Sequence, residues 1–319
     1  MTILSSRVYY KPFVYPWAYD YFQKQAVTMH WSASEVSFKD DLNHFNSLNT
    51  NEKEFISKLL SFFTQSDNDI GGMYVRNYLP TFSGNPEIRM MLLAFASMES
   101  IHADAYASVN AVLNLENYKD FLDYPSMKSK HDYLSNVFPT SDIPELMKSV
   151  AVTSAFGEGL QLYGSFIMLL SFVDRGLMSG MGDVVQYSMR DETVHVEGLL
   201  KIFDTLKSEY PEYWIDTTKR DIYQVSRDMV TLEINFIETL FEILGSDLPN
   251  LSKEQVIEYI KYLADHRLGQ LGLKANYFVK ENPIPWLDKF FLLAHEDLFS
   301  ATGTEYNRDS GNQDWDSLF

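Results

Sequence analysis

Twice in this chain a glutamate stands three residues before a histidine: Glu99 and His102 in "MESIHADAY", and Glu192 and His195 in "MRDETVHVEG". At that spacing both side chains share one face of a helix, where a carboxylate and an imidazole can grip the same metal ion. The faces concerned are apolar. Ile88, Leu92, Phe95, Glu99, His102, Tyr106, Val109 and Leu113 follow one another in steps of four and three, and Val185, Ser188, Glu192, His195 and Leu199 do the same. An ionised carboxylate buried without a partner costs several kcal/mol, so these groups require partners, and a metal suits Glu and His together.

Two further apolar stripes each carry one carboxylate. Asp67 interrupts Ile56, Leu60, Phe63, Ile70 and Tyr74, and Glu158 interrupts Met147, Ala151, Ser154, Leu162, Ser165 and Leu169. The chain therefore reads as two similar halves, a carboxylate helix followed by a Glu-x-x-His helix, separated by 32 residues from Asp67 to Glu99 and 34 from Glu158 to Glu192. Four carboxylates and two histidines converging from four helices form the ligand set of the ferritin-like di-metal carboxylate proteins. Buried ion pairs without metal are the competing reading. One Glu-x-x-His arises readily by chance; two, each about 33 residues after a core carboxylate, do not. The oxygen-rich, thiolate-free set suits iron or manganese better than zinc or copper(I). Tyr106 lies one turn beyond His102, about 6 Å along the axis. That spacing fits a core phenol bonded to a ligand carboxylate and a redox phenol equally well.

These residues require an all-α scaffold. Three- and four-residue periodicity predicts long helices over 50–79, 85–113, 143–173, 181–207, 216–245 and 252–273, with shorter ones near 36–47 and 284–296. Asn49 with Glu52 makes a capping-box pattern, Pro86 follows Asn85 at a first helical position, and Asp142 precedes Glu145 by three. Gly176 and the "SGMG" at 179–182 read as a break between helices. The expected architecture is a four-helix-bundle core with additional helices in one domain, 1–299. The polar 300–319 reads as a mobile tail.

Composition narrows the function. A 319-residue chain that is 45% hydrophobic can fill a large core. Its formal charge of −18 disfavours nucleic acid and anionic membranes as partners. The longest stretch of apolar character, Phe166 to Val173, broken only by Ser171, is far below the roughly 20 residues of a membrane span. The N-terminus lacks signal-peptide character, so the expected location is the cytoplasm. Zero cysteines exclude thiol chemistry carried by this chain.

With "FFTQSD" ending at Asp67, "MESIHADAY", "GEGLQLYGSF" around Glu158, "MRDETVHVEG", "NPIPW" at 282–286 and an acidic, aromatic C-terminus, the sequence resembles the radical-generating small (beta) subunit of class I ribonucleotide reductase over nearly its whole length. The resemblance implies that Asp67, Glu99 and His102 bind one metal and Glu158, Glu192 and His195 the other. It implies that oxygen reacts at the reduced pair and that Tyr106 becomes a stable radical. Trp31 and Asp191 would join His102 in a hydrogen-bonded relay, and Tyr306 would pass the oxidising equivalent between subunits. Iron is the expected metal, with manganese or mixed manganese–iron as alternatives. The implied partners are a second copy in a homodimer and a catalytic large (alpha) subunit, docked through the tail. With no cysteine and no Gly-rich phosphate loop here, the ribonucleotide site must lie on that large subunit. Competing functions are a di-metal oxidase or hydroxylase with its own small substrate, and a ferritin-type store.

Overall fold

Helix α3 (Thr50–Met73) begins where the Asn49 side chain accepts from the Glu52 backbone N–H and Glu52 answers to the Asn49 N–H, a complete capping box. The computed structural model describes residues 1–115, 117–135 and 142–290, and among them there is no strand beyond an isolated Leu248–Leu251 bridge. Ahead of α3 lie α1 (Pro16–Gln23) and α2 (Asp41–Ser47). After it come α4 (Leu79–Phe82), α5 (Pro86–Val112), α6 (Pro125–Ser135), α7 (Ile143–Val152), α8 (Tyr163–Asp174), α9 (Ser179–Glu209), α10 (Asp216–Leu244) and α11 (Lys253–Gln270).

The core is a closed ring of packed helices. α3 lies on α5, α5 on α9, α9 on the α7–α8 segment, and α8 returns to α3. Helix α10 covers α3, α6 and α7; α11 covers α8; α1 lies across α5 and α9. The segment Ile143–Asp174 is long and apolar enough to cross a membrane by composition, yet 94% of its most apolar window is buried in the bundle.

Several boundaries differ from the periodicity, each for a local reason. The segment expected as one helix over 143–173 leaves α-geometry in a π-helical turn, Thr153–Glu158. At Gly159 a Cβ would stand 2.5 Å from the Ala155 carbonyl oxygen and 2.7 Å from Arg267 Nε. Its absence lets Arg267 Nε donate to the Gly159 carbonyl at 2.9 Å. The segment over 50–79 likewise passes through a π-helical turn, Tyr74–Tyr78, before α4. The expected break falls earlier: Gly176 and Met178 take left-handed φ of 79° and 55°. "SGMG" is instead the first turn of α9, capped from afar by Asp41, whose carboxylate accepts from Gly180 N (3.1 Å) and Met181 N (2.7 Å). The helix near 36–47 is only Asp41–Ser47, and that near 284–296 opens with a tighter turn, Pro285–Leu287, and stays helical to residue 290, with 291–296 outside the described residues. Helices α1 and α6 were not expected; α1, eight residues long, is stabilised by packing on α5 rather than by propensity. The tail 300–319 lies outside the described residues.

Behind α3, Lys130 of α6 and Glu233 of α10 form a fully buried ion pair, Nζ–Oε2 2.5 Å, with the ammonium over the rings of Phe62 and Phe236. Burial raises the Glu233 carboxyl to about 7 even against Lys130, and lowers the lysine. Lys130→Met strands a buried charge and is expected to cost about 3–5 kcal/mol, whereas Lys130→Met/Glu233→Leu recovers most of it. A carboxyl raised by folding favours the native state when protonated, so the loss in Lys130→Met is smallest at acid pH and grows as pH rises. Urea unfolding of both variants at pH 5 and pH 8 measures this.

Candidate metal centre

Six side chains meet inside the ring: Asp67 from α3, Glu99 and His102 from α5, Glu158 from the end of the π-helical turn, and Glu192 and His195 from α9. Asp67 is 1% exposed and the other five are fully buried. Gly71, one turn beyond Asp67, allows the close approach of α3 to α5. A Cβ there would come within 3.1 Å of Glu99 Cβ.

Glu99 and Glu192 each bracket both imidazoles. Glu99 places Oε2 3.6 Å from His102 Nδ1 and Oε1 2.8 Å from His195 Nδ1. Glu192 places Oε1 3.5 Å from His102 Nδ1 and Oε2 3.6 Å from His195 Nδ1. Glu158 Oε2 stands 3.1 Å from His195 Nδ1. Ligand atoms of Glu99, Glu158, Glu192 and His195 all lie within 4.8 Å of one another.

The donor set fits a metal pair. Asp67 Oδ2, both oxygens of Glu99 and of Glu192, and His102 Nδ1 are buried without a hydrogen-bond partner in the protein. So many unpartnered acceptors at one point match the cation-binding chemistry of carboxylates and imidazoles. Burial and then the neighbouring Glu99 raise Asp67 well above the usual carboxylate range, and burial with Glu192 pushes Glu158 up to about 7. Like charges this close are costly without a counter-ion.

Around them lies an oriented shell. His102 Nε2 is 3.0 Å from Asp191 Oδ2, which also accepts from Trp31 Nε1 at 2.7 Å. With Nε2–H donating outward, the Nδ1 lone pair faces the centre. Burial would raise the Asp191 carboxyl, but His102, Arg190 and Trp31 outweigh it and hold it below its ordinary value. Trp31 stacks on His102 with centroids 5.9 Å apart and meets Tyr187 at 5.1 Å. Tyr106 is fully buried, its hydroxyl donates to Ser188 Oγ at 3.2 Å, and its ring stacks on Phe63 at 4.6 Å. Burial and then Asp67 hold this phenol well above its usual pKa, hence neutral.

The structure therefore brings together Asp67, Glu99, His102, Glu158, Glu192 and His195, with Trp31, Asp191 and Tyr106 beside them. Tyr306 lies outside the described residues. Sequence reasoning passed over Tyr74, whose hydroxyl donates to Glu158 Oε1, although its place seven residues after Asp67 on the same stripe was a usable signal. Ser188 and Tyr187 were likewise given no role there; Ser188 was marked by its place on the apolar stripe four residues before Glu192, whereas nothing local marked Tyr187.

Residues 7–283 match the family model "Ribonucleotide reductase, small chain". A probable ribonucleoside-diphosphate reductase small subunit of Invertebrate iridescent virus 3 is 34% identical, over 98% of this chain and 88% of the relative. The ribonucleoside-diphosphate reductase subunit beta of Chlamydia pneumoniae is 28% identical, over 95% of this chain and 91% of its own. Among solved structures, the ribonucleotide reductase R2 subunit of Clostridium botulinum superposes with a TM-score of 0.79 at 21% identity, covering 86% of this chain and 88% of that one. The dimanganese(II)-NrdF of Streptococcus sanguinis gives 0.74 at 20% identity, covering 86% and 97%. Both structural likenesses show the shared ferritin-like fold.

Proposed function

The chain belongs to the ribonucleotide reductase small-chain family, and from that membership we propose that its buried centre holds two metal ions and stores a radical on Tyr106 for a catalytic large subunit. As a ribonucleoside-diphosphate reductase small subunit it is one component of an oxidoreductase. The observation that carries the reading is the convergence of unpartnered carboxylate oxygens and imidazole nitrogens, from α3, α5 and α9, beside Glu158 in a fully buried core. Asp67, Glu99 and His102 would hold one ion and Glu158, Glu192 and His195 the other, with Glu99 and Glu192 placed to reach both. Iron is favoured; manganese, the metal of the Streptococcus sanguinis neighbour, and mixed manganese–iron fit the same ligands. Once bound and exposed to dioxygen, the pair supplies one-electron oxidising power.

The chain's own residues do the rest. Tyr106 would give one electron to the oxidised pair and pass its phenolic proton out along the hydrogen bond to Ser188 Oγ, with the ring of Phe63 stacked on its own and full burial keeping solvent away. Asp191 fixes the His102 tautomer and ties Trp31 to it, a continuous hydrogen-bonded line away from the centre. Because this chain has no cysteine, the thiols that reduce the ribonucleotide belong to the large subunit. The working form is a cytoplasmic homodimer, the closed assembly commonest among oligomers and the one named for the yeast neighbour Rnr4.

The test is electron paramagnetic resonance after aerobic loading with iron or manganese, followed by ribonucleoside-diphosphate reduction on adding the large subunit. A tyrosyl signal and partner-dependent turnover are expected. Bound metal with neither would overturn the reading. The tail supplies a separable prediction. Deleting Trp315 to Phe319, apolar anchors in an acidic segment, should abolish large-subunit binding while the radical still forms. Tyr306→Phe should bind normally and fail in turnover. Pull-down and turnover assays separate the two, and wild-type turnover in Tyr306→Phe removes that residue from the path.

A further inference from the structure

Among the described residues two buried phenols, not one, stand at this centre, and they differ in where their protons can go. Tyr106 donates to a neutral hydroxyl, Ser188 Oγ. Tyr74 donates directly to Glu158 Oε1, a carboxylate of the candidate ligand set. Its ring, fully buried, meets the edge of His195 at 6.1 Å and of Phe95 at 6.0 Å. One turn on, Tyr78 lies 6.1 Å away, also fully buried, with its hydroxyl donating to Thr153 Oγ1 at 2.7 Å. Both tyrosines lie in the π-helical turn that follows α3, a deviation that recurs at functional sites. They face the Glu158–His195 side, whereas Tyr106 feels Asp67 most among the carboxylates.

The geometry points to Tyr74 as a second oxidisable residue of the centre, a short-lived radical site on the Glu158 side. This rests on the metal-centre reading above. In the step, Tyr74 loses one electron to the oxidised dinuclear centre and its phenolic proton moves along the existing hydrogen bond to Glu158 Oε1, leaving a neutral phenoxyl. Because that proton stays one hydrogen bond away, the return of an electron restores the phenol at once, so the Tyr74 radical is transient. Tyr106, with no carboxylate hydrogen-bonded to its hydroxyl, keeps its radical longer.

The experiment is rapid-freeze electron paramagnetic resonance on Tyr106→Phe and Tyr106→Phe/Tyr74→Phe, each mixed with ferrous iron and dioxygen, with bound metal measured on the same samples. Expected are a transient tyrosyl signal in Tyr106→Phe and its loss, at least about tenfold, in the double variant at equal metal content. Tyr106→Phe/Tyr78→Phe should retain the signal. A metal-loaded Tyr106→Phe without a tyrosyl signal, or a signal that survives Tyr74→Phe, overturns the assignment while leaving the metal centre intact. Absence of bound metal in the wild-type protein overturns the metal-centre reading and this inference with it.

Discussion

Glu192→Ala is expected to lose its metal: from about two ions per wild-type chain to well under one after dialysis, with affinity down at least about a hundredfold. Glu192 is one of two carboxylates whose oxygens lie within 3.6 Å of both His102 Nδ1 and His195 Nδ1, so its loss opens both halves of the site together. Misfolding is separable from this effect. The substitution removes one negative charge from a buried group of carboxylates, so the metal-free variant should melt no lower than the metal-free wild type. Added iron or manganese should raise the melting temperature of the wild type and leave the variant unmoved. Metal analysis together with melting curves decides the matter, and full occupancy in Glu192→Ala would refute the ligand assignment.

Tyr106→Phe is expected to keep fold and metals while abolishing the long-lived tyrosyl signal and lowering turnover with the large subunit at least about a thousandfold, as loss of an indispensable reacting group does. The ring remains to stack on Phe63 and only the hydrogen bond to Ser188 is given up, so stability should fall by about 1 kcal/mol. A separate structural role for the phenol would instead lower stability and metal content together. Normal turnover in the metal-loaded variant would place the working radical elsewhere.

The sequence by itself determined what depends on near neighbours along the chain. Period-3.6 patterning showed the long helices. The same patterning set Asp67, Glu99, His102, Glu158, Glu192 and His195 on core stripes, because residues three and four apart share a face whatever the helix later meets. The capping box at Asn49 and Glu52 was legible for the same reason. The motif resemblance added the family, the direction of the relay and a role for Tyr106.

Tertiary structure decided what depends on which faces meet. Nothing local says that Asp41 will cap α9 from 139 residues away, or that Trp31 will share an oxygen of Asp191 with His102 across 160. The two π-helical turns escaped periodicity because each shifts the register of the face that follows it, carrying Glu158 and Tyr78, at the ends of their turns, to positions an unbroken α-helix would not give them. The partition of the two phenols was likewise a packing outcome. Spacing could bring Tyr106 near the centre, but only the meeting of α5 with α9 gave its hydroxyl to Ser188, and only the meeting of the two π-helical turns gave that of Tyr74 to Glu158. A helical pattern fixes direction within one element, whereas hydrogen-bond partners between elements are set by how closely helices can approach, here through glycines such as Gly71 and Gly159.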